Sequence, residues 1–313
     1  HINGGIGTRH DIEGFDTDYN LPNDAYLETC AAIALAFWAG EMNLLSEKSE
    51  YFDVFERALY NNIIDGVGED FRHFFYQNPL VSDGGITRWE WHGCPCCPPM
   101  LMKIFGSLAR YIYSYSEDTL CVNMFIGSRV RAGGIEAELD GKTLTVKSGK
   151  PLTLKIRVPE YVSDFKLSID GKPVDFRNEN GYAVLDGIND AVITMSYGEK
   201  LRRVFANPKV EADVGKVAII NGKFLMCAEG IDNGGDTGFI VAENPDLRHD
   251  GENVVGKRSD GKEFRLIPYY KWCRRTTGKP EDDRMAVWFR QENMKDNTTL
   301  NKMIGGKLYE DYD

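Results

Sequence analysis

The chain has 313 residues, of which 42% are hydrophobic, 27% charged and 12% aromatic, and its formal net charge is -11. This composition is typical of a globular protein with material for two or three cores. The acidic balance argues against a nucleic-acid or anionic-membrane partner, because both reward clustered Lys and Arg. No apolar run approaches the ~20 residues that a membrane span needs.

The chain begins with "HINGGIGTRHD", which has no initiator Met, no charged leader and no apolar signal segment. We therefore expect the interior of a longer polypeptide whose N-terminal part is missing here. The compartment is left open between cytoplasm and periplasm, and a homo-oligomer is left open as well.

From Leu27 to about Tyr115 the apolar residues have helical spacing. Three segments carry it, namely "YLETCAAIALAFWAGEMNLLS", "YFDVFERALYNNIIDGV" and "PPMLMKIFGSLARYIYSYS". The two prolines suit the first turn of the third helix, where a missing N–H costs least. Three helices form a thin layer, so we expect a broad apolar surface on residues 27–115 or another chain that covers it.

After about Asp118 the apolar period changes to two, as in "TLTVKSGKPLTLKIRVPEY" and "FKLSIDGKPVDF". Asp170-Gly171 is a hairpin-turn signal within the second of these segments. "KVAIINGKFLMCAEG" and "RMAVWFRQ" continue the pattern. Helices followed by a run of antiparallel strands predict an α+β protein with separate α and β domains.

Seven cysteines are present, and three of them lie within "WHGCPCCPPM" at Cys94, Cys96 and Cys97. An odd number excludes complete pairing into disulfides, and the density is far too low for a disulfide scaffold. We predict that three of the remaining four are small core hydrophobes, namely Cys121, Cys227 and Cys273.

Glu28 and Cys30 lie near the start of the first predicted helix. Side chains two positions apart on an α-helix point about 200° away from each other. Both can reach one point only if the first of them lies in the non-helical segment at the start of the helix. With Cys96 and Cys97 they supply one oxygen and three sulfurs, a set that suits tetrahedral Zn²⁺. Spacing leaves three interpretations open: a zinc site, reduced structural cysteines, or a strained disulfide or redox pair.

Residues 8–30 interleave acidic side chains with Phe15, Tyr19 and Tyr26. This pattern is compatible with a solvated acidic loop. The Gly-rich lead-in "NGGIG" and the embedded aromatic residues favour the rim of a pocket.

Several motifs in this order and spacing resemble glycoside hydrolase family 127 and its sister family 146. They are "HDIEGFDTDYNLPNDAYLETCA", "FRHFFYQNPL", "CPCCPP", "PLTLKIRVPEY" and "IPYYKWCRR" followed by "RMAVWFR". The resemblance implies the last helices of an (α/α)6 barrel over residues 1–118, followed by two β-sandwich, jelly-roll-like domains over 119–217 and 218–313. It also implies retaining hydrolysis of terminal β-L-arabinofuranosyl or related furanosyl residues from an oligosaccharide or glycan.

The resemblance further implies roles for individual residues. The zinc ligands of the family fall on Glu28, Cys30, Cys96 and Cys97. Cys96 matches the nucleophile and Glu13 of "IEGF" matches the general acid/base, and we expect the two to flank one cavity. A free thiol is mostly protonated at neutral pH, whereas a zinc-bound cysteine is a thiolate, so the combination is chemically coherent.

Two more residues are expected to touch substrate. Tyr76 in "FFYQNPL" matches a position that approaches the sugar, and His10 is a candidate sugar contact. Cys94 lies outside the matched positions.

Two other classes of protein are compatible with the pattern. One is a noncatalytic carbohydrate-binding protein with a structural zinc, because four protein ligands and no open position are usual for structural sites. The other is a thiol redox protein, which makes no use of Glu28. Glu13 together with the intact Cys96-Cys97 pair favours the enzyme, because a binding module needs no acid/base.

Overall fold

The computed structural model describes residues 1–294 and 307–312. Over these residues the α-helices are α1 (Thr29–Ser46), α2 (Glu50–Arg57), α3 (Cys97–Ser107) and α4 (Ala109–Ile112). A π-helical segment, Ala58–Ile63, follows α2 directly, and short 3-10 helices lie at Glu211–Asp213, Gly230–Asp232 and Tyr269–Lys271.

The strands are β1 (Val81–Ser82), β2 (Tyr113–Tyr115), β3 (Thr119–Val122), β4 (Ser128–Ala132), β5 (Ile135–Asp140), β6 (Thr143–Ser148), β7 (Leu152–Arg157), β8 (Val162–Ile169), β9 (Lys172–Val174), β10 (Arg177–Glu179), β11 (Tyr182–Ile188), β12 (Ala191–Glu199), β13 (Leu201–Ala206), β14 (Lys216–Asn221), β15 (Phe224–Glu229), β16 (Ile240–Val241), β17 (Arg248–Asp250), β18 (Asn253–Lys257), β19 (Glu263–Pro268), β20 (Met285–Ala286), β21 (Phe289–Gln291) and β22 (Tyr309–Tyr312).

The α+β class and the three predicted helical segments are confirmed. The second segment continues from α2 into the π-helix, and the third divides into α3 and α4. Pro98 and Pro99 lie in the first turn of α3, as their missing N–H groups favour. Asp170 and Gly171 both have positive φ, 50° and 80°, and form the predicted two-residue turn between β8 and β9.

The chain divides into two compact units, each assembled from separate stretches. The first comprises residues 1–35, 57–101 and 201–313, and the second comprises residues 36–56 and 102–200. The three domains predicted from the sequence, with boundaries at 118 and 217, stay a prediction.

Two sheets build the second unit. A five-stranded sheet has the order β10-β11-β7-β3-β2, and a six-stranded sheet has the order β4-β5-β6-β12-β8-β9. Leu154 of the first sheet and Val146 and Ile193 of the second are fully buried in one apolar core. The alternation read from the sequence therefore directs one face of each sheet into a shared interior.

An eleven-stranded sheet builds most of the first unit. Its main path is β16-β21-β14-β15-β19-β18-β17, and β1, β13, β20 and β22 pair alongside that path. Strand β1 pairs with β20 in the register Val81↔Ala286. The segment before β1, residues 74–80, is thereby attached to the C-terminal sheet, and this segment carries part of the site.

Large apolar side chains stay exposed on the helices of the second unit. Trp38 is 55% exposed, Leu45 81% and Met102 77%. Leu44 and Phe105 are exposed as well. These exposed side chains agree with the apolar surface predicted within residues 27–115, and their union into one broad surface stays a prediction.

The expectation that no apolar run approaches the length of a membrane span is corrected by helix α1, whose 18 residues are long and apolar enough, by length and composition, to cross a membrane. Core helices of soluble proteins meet the same criterion. Ala32, Ile33, Ala36 and Ala39 of α1 are fully buried within the protein, whereas Trp38, Leu44 and Leu45 of the same helix are exposed. The expected absence of a membrane partner stays a prediction.

Candidate active site

The four predicted metal ligands lie at the entrances of two helices. Glu28 forms an isolated β-bridge with Gln77, and α1 begins at the next residue, so Cys30 lies in its first turn. Cys96 lies just before α3, and Cys97 is its first residue. The non-helical entrance that Glu28 and Cys30 require is thus present. Both helix N-termini direct their positive ends toward the cluster, which favours anionic ligands.

The ligand atoms of these four residues all lie within 4.8 Å of one another. Cys30 Sγ is 3.3 Å from Cys97 Sγ, Cys96 Sγ is 3.8 Å from Cys97 Sγ, and Cys96 Sγ is 3.0 Å from Glu28 Oε1. Ligands at about 2.3 Å around a tetrahedral zinc are separated by roughly 3.8 Å. The one-oxygen, three-sulfur set therefore fits a single tetrahedral cation in both spacing and chemistry.

The pKa values of two thiols in this cluster, Cys30 and Cys96, are raised when no cation is bound. Burial is the main cause that raises the pKa of Cys96 to about 12, and Glu28 and Cys30 add to it. The hydrogen bond with Cys97, followed by burial, raises the pKa of Cys30 above the ordinary thiol value. All seven cysteines are free, and the 3.3 Å between Cys30 and Cys97 exceeds a disulfide bond. A divalent cation is the species that turns such thiols into thiolates.

Glu13 lies on a short loop closed by the bridge between Arg9 and Gly14. Its φ is 48°, a left-handed conformation that non-glycine residues adopt at a cost. Tyr26 donates a hydrogen bond of 2.8 Å to Glu13 Oε1, and Tyr76 donates a second one of 3.3 Å. The loop therefore holds the carboxylate in one place.

Tyr76 connects Glu13 to the cysteine cluster. Its hydroxyl lies 3.3 Å from Glu13 Oε1 and 3.4 Å from Cys96 Sγ. The sulfur and that carboxylate oxygen are therefore at most about 7 Å apart, a span compatible with the roughly 5–6 Å of retaining pairs. Cys97 is fully buried, whereas Cys96 is half-buried and contacts Tyr76.

His10 and Cys94 lie at the margins of this arrangement. His10 Nε2 is 2.8 Å from the Asp24 carbonyl oxygen, and its ring packs edge-on against Tyr26 at 5.6 Å. Cys94 is exposed and belongs to no cluster of metal-ligating side chains within residues 1–294.

From the sequence, Tyr26 is expected only at the rim of a pocket, and Trp89 and His92 receive no role. Tyr26 donates to Glu13, Trp89 stacks on His92 at 4.6 Å, and His92 lies 4.9 Å from Tyr76. The signals were present as an aromatic residue two positions before Glu28 and as "WEWHG" immediately before the cysteines. Neither signal says which ring faces the site.

A buried ion pair lies against Phe75, the residue before Tyr76. Arg88 donates a 2.7 Å hydrogen bond to Asp65 Oδ1, and the Trp272 indole donates one of 2.9 Å to Asp65 Oδ2. Phe75 is stacked on Trp272 at 5.1 Å, with the Arg88 guanidinium 4.0 Å from its ring centre. Residues from the C-terminal stretch thereby fix the backbone on which Tyr76 sits.

Comparison with family models gives two matches, both to glycoside hydrolase family 127. Residues 1–110 match the β-L-arabinofuranosidase catalytic domain of that family, and residues 201–290 match its C-terminal domain. Together the two matches cover well over half of the chain.

Individual relatives agree with the family models. A non-reducing end β-L-arabinofuranosidase of Bifidobacterium longum is 29% identical over 89% of this chain and 52% of its own length. The crystal structure of a family 127 β-L-arabinofuranosidase from Geobacillus stearothermophilus superimposes with a TM-score of 0.83 at 30% identity. The alignment covers 93% of this chain and 54% of the chain of that relative. The structure of a second family 127 β-arabinofuranosidase superimposes with a TM-score of 0.81 at 29% identity, and the alignment again covers 93% of this chain and 54% of the relative. The chain spans about half the length of these relatives.

Proposed function

Since the chain belongs to glycoside hydrolase family 127, we propose that it carries the catalytic residues of a retaining hydrolase. This enzyme removes terminal β-L-arabinofuranosyl or related furanosyl residues from a glycan. The main support is the position of the Tyr76 hydroxyl, which contacts both Cys96 Sγ and Glu13 Oε1. A nucleophile and a proton donor on either side of one sugar are what retention requires.

In this proposal Glu28, Cys30, Cys96 and Cys97 hold Zn²⁺, for which their spacing and donor atoms are suited. The metal, when bound, keeps the cysteine sulfurs as thiolates at neutral pH. Cys96 is the member of the pair that reacts, because Cys97 is fully buried.

Cys96 Sγ attacks the anomeric carbon, and the bond between that carbon and the glycosidic oxygen breaks. Glu13 donates its proton to the departing oxygen. Both tyrosines donate to Oε1, so the transferred proton is held on Oε2. In the second step Glu13 takes a proton from a water molecule that cleaves the thioglycosyl bond, which returns Cys96 and gives net retention.

The same proposal assigns the finer features of the fold. Helices α1–α4 form the C-terminal part of an (α/α)6 barrel, and the sheets that follow form two jelly-roll-like sandwiches. The chain covers 54% of each of two structural relatives, so a full-length protein of their size has room for the remaining helices of the barrel.

The test uses the full-length protein and aryl furanosides of both anomeric configurations. We expect turnover of the β-L-arabinofuranoside, with a first-formed sugar of unchanged anomeric configuration in the NMR spectrum. Cys96→Ser should abolish turnover, whereas the matched variant Cys94→Ser should retain it. Full activity in Cys96→Ser with loss in Cys94→Ser would place the nucleophile elsewhere.

A second candidate is a noncatalytic carbohydrate-binding protein with a structural metal. It is favoured by the cluster itself, because four protein ligands leave a tetrahedral cation no open position. Metal binding with no hydrolysis of any furanoside by the full-length protein would support it. A thioglycosyl adduct on Cys96, seen by mass spectrometry after trapping with a slow substrate, would exclude it.

A further inference from the structure

A cavity of about 310 Å³ lies beside the proposed reacting groups. Tyr76, Gln77, Ile86, Thr87 and Trp89 are among the residues that line it. Neither Glu13 nor any of the four clustered ligands is part of the lining. We propose that this cavity is a second carbohydrate subsite, which holds the sugar ring joined to the hydrolysed one. The inference rests on the proposed function and extends it to a longer glycan.

The cavity and the proposed reacting groups share one residue, Tyr76. Tyr76 forms part of its wall, and the hydroxyl of the same residue lies 3.4 Å from Cys96 Sγ and 3.3 Å from Glu13 Oε1. Adjacent rings in a glycan share a single oxygen, so the neighbouring ring of a sugar held between Cys96 and Glu13 needs a place next to these groups, and we assign it to the cavity that shares Tyr76 with them.

The lining has the chemistry that a sugar ring needs. Trp89 is 39% exposed, and its ring lies 5.9 Å from that of Tyr76. His92 stacks on Trp89 and is not part of the lining. The C–H face of a sugar packs against an aromatic ring, as other apolar groups do.

Polar groups are available around that ring. Among residues 1–294 and 307–312, the side-chain amide of Gln77 and the side-chain hydroxyl of Thr87 make no hydrogen bond with another protein group. Ligand pockets combine an apolar lining with a few such groups, which fix the orientation of the ligand. The volume lies at the lower end of the roughly 300–1,000 Å³ typical of such pockets, which favours a small ring over a peptide.

The wall is fixed before any ligand arrives. Trp89 and Phe74 exchange backbone hydrogen bonds of 2.8 and 2.9 Å. Arg88, between Thr87 and Trp89, binds Asp65 and the carbonyl oxygens of Trp272 and Cys273 at 3.3 and 3.2 Å. A preformed wall binds without the entropic cost of ordering it, which distinguishes this surface from an exposed loop.

The experiment compares Trp89→Ala with Trp91→Ala in the full-length protein. Trp91 is a matched control, because it is 72% exposed and does not line the cavity. Two substrates are used: methyl β-L-arabinofuranoside, and a disaccharide in which the second sugar is the leaving group of a terminal arabinofuranose. The measured quantity is kcat/KM relative to the simple methyl glycoside.

We expect Trp89→Ala to lower this ratio about tenfold for the disaccharide, as lost pocket contacts do. Trp91→Ala should leave the ratio unchanged. An unchanged ratio in Trp89→Ala, or equal losses in the two variants, would overturn the subsite.

A failure of the proposed function gives a different result. The unmodified protein would then hydrolyse neither substrate, and calorimetric titration with the disaccharide would decide the subsite. Weaker binding in Trp89→Ala than in Trp91→Ala supports it, and equal affinities contradict it.

Discussion

The ion pair between Asp65 and Arg88 should be among the most costly contacts to remove. The Asp65 side chain is fully buried, and that of Arg88 is only 7% exposed. Asp65→Ala deletes the acceptor of the Arg88 hydrogen bond at 2.7 Å and of the Trp272 indole hydrogen bond at 2.9 Å. It leaves a buried guanidinium with no counter-charge at that position. Removing one partner of a buried pair costs about 3–5 kcal/mol, a large fraction of a typical free energy of unfolding.

Glu69→Ala is the matched control for this variant. Glu69 pairs with Arg274 in the same unit at 3.3 Å, but its side chain is 72% exposed. Such surface pairs contribute about 1 kcal/mol or less. Urea unfolding followed by tryptophan fluorescence measures both variants, and the Asp65 variant should unfold at a clearly lower urea concentration. Equal midpoints would show that the burial argument is wrong.

Three further predictions concern the metal, the acid and pH. Cys97→Ser, at a fully buried position, should lower the bound zinc measured by elemental analysis well below one per chain, whereas Cys94→Ser should leave it unchanged. Glu13→Gln should slow sugars with poor leaving groups by about 10²–10⁴-fold in kcat/KM and activated aryl glycosides much less; equal losses would contradict the assignment of the proton donor. Burial, with Glu160 and Glu56 nearby, raises the pKa of Asp53 to about 6, while Arg157 opposes the rise. The folded state then binds more protons than the unfolded state between about pH 4 and 6, so this contribution to stability is present at low pH and lost as pH rises. Asp53→Asn should remove the part of the decrease in urea midpoint between pH 4 and 7 that is due to Asp53. An unchanged pH dependence of the midpoint would contradict the raised pKa of Asp53.

The local elements were determined by the sequence. The period of three to four in "AAIALAFWAG" requires a helix wherever one face is buried, and the alternation in "TLTVKSG" requires a strand. Asp170-Gly171 specified its own turn, because few dipeptides adopt two positive φ angles readily. The resemblance to family 127 rests on whole motifs, and these motifs alone identify Glu13, Glu28 and the cysteines as candidates for one site.

Only the tertiary structure determines which distant residues come together at the site. Glu28 and Cys96 are 68 positions apart, and their 3.0 Å contact depends on two helices beginning at the same point. The positions of Trp89 and Tyr76 depend on Trp272, nearly 200 positions further along the chain, which stacks on Phe75. Periodicity acts over a few residues and specifies only which faces are apolar. Which faces meet, and which ring faces the site, follow from long-range packing that no local pattern encodes.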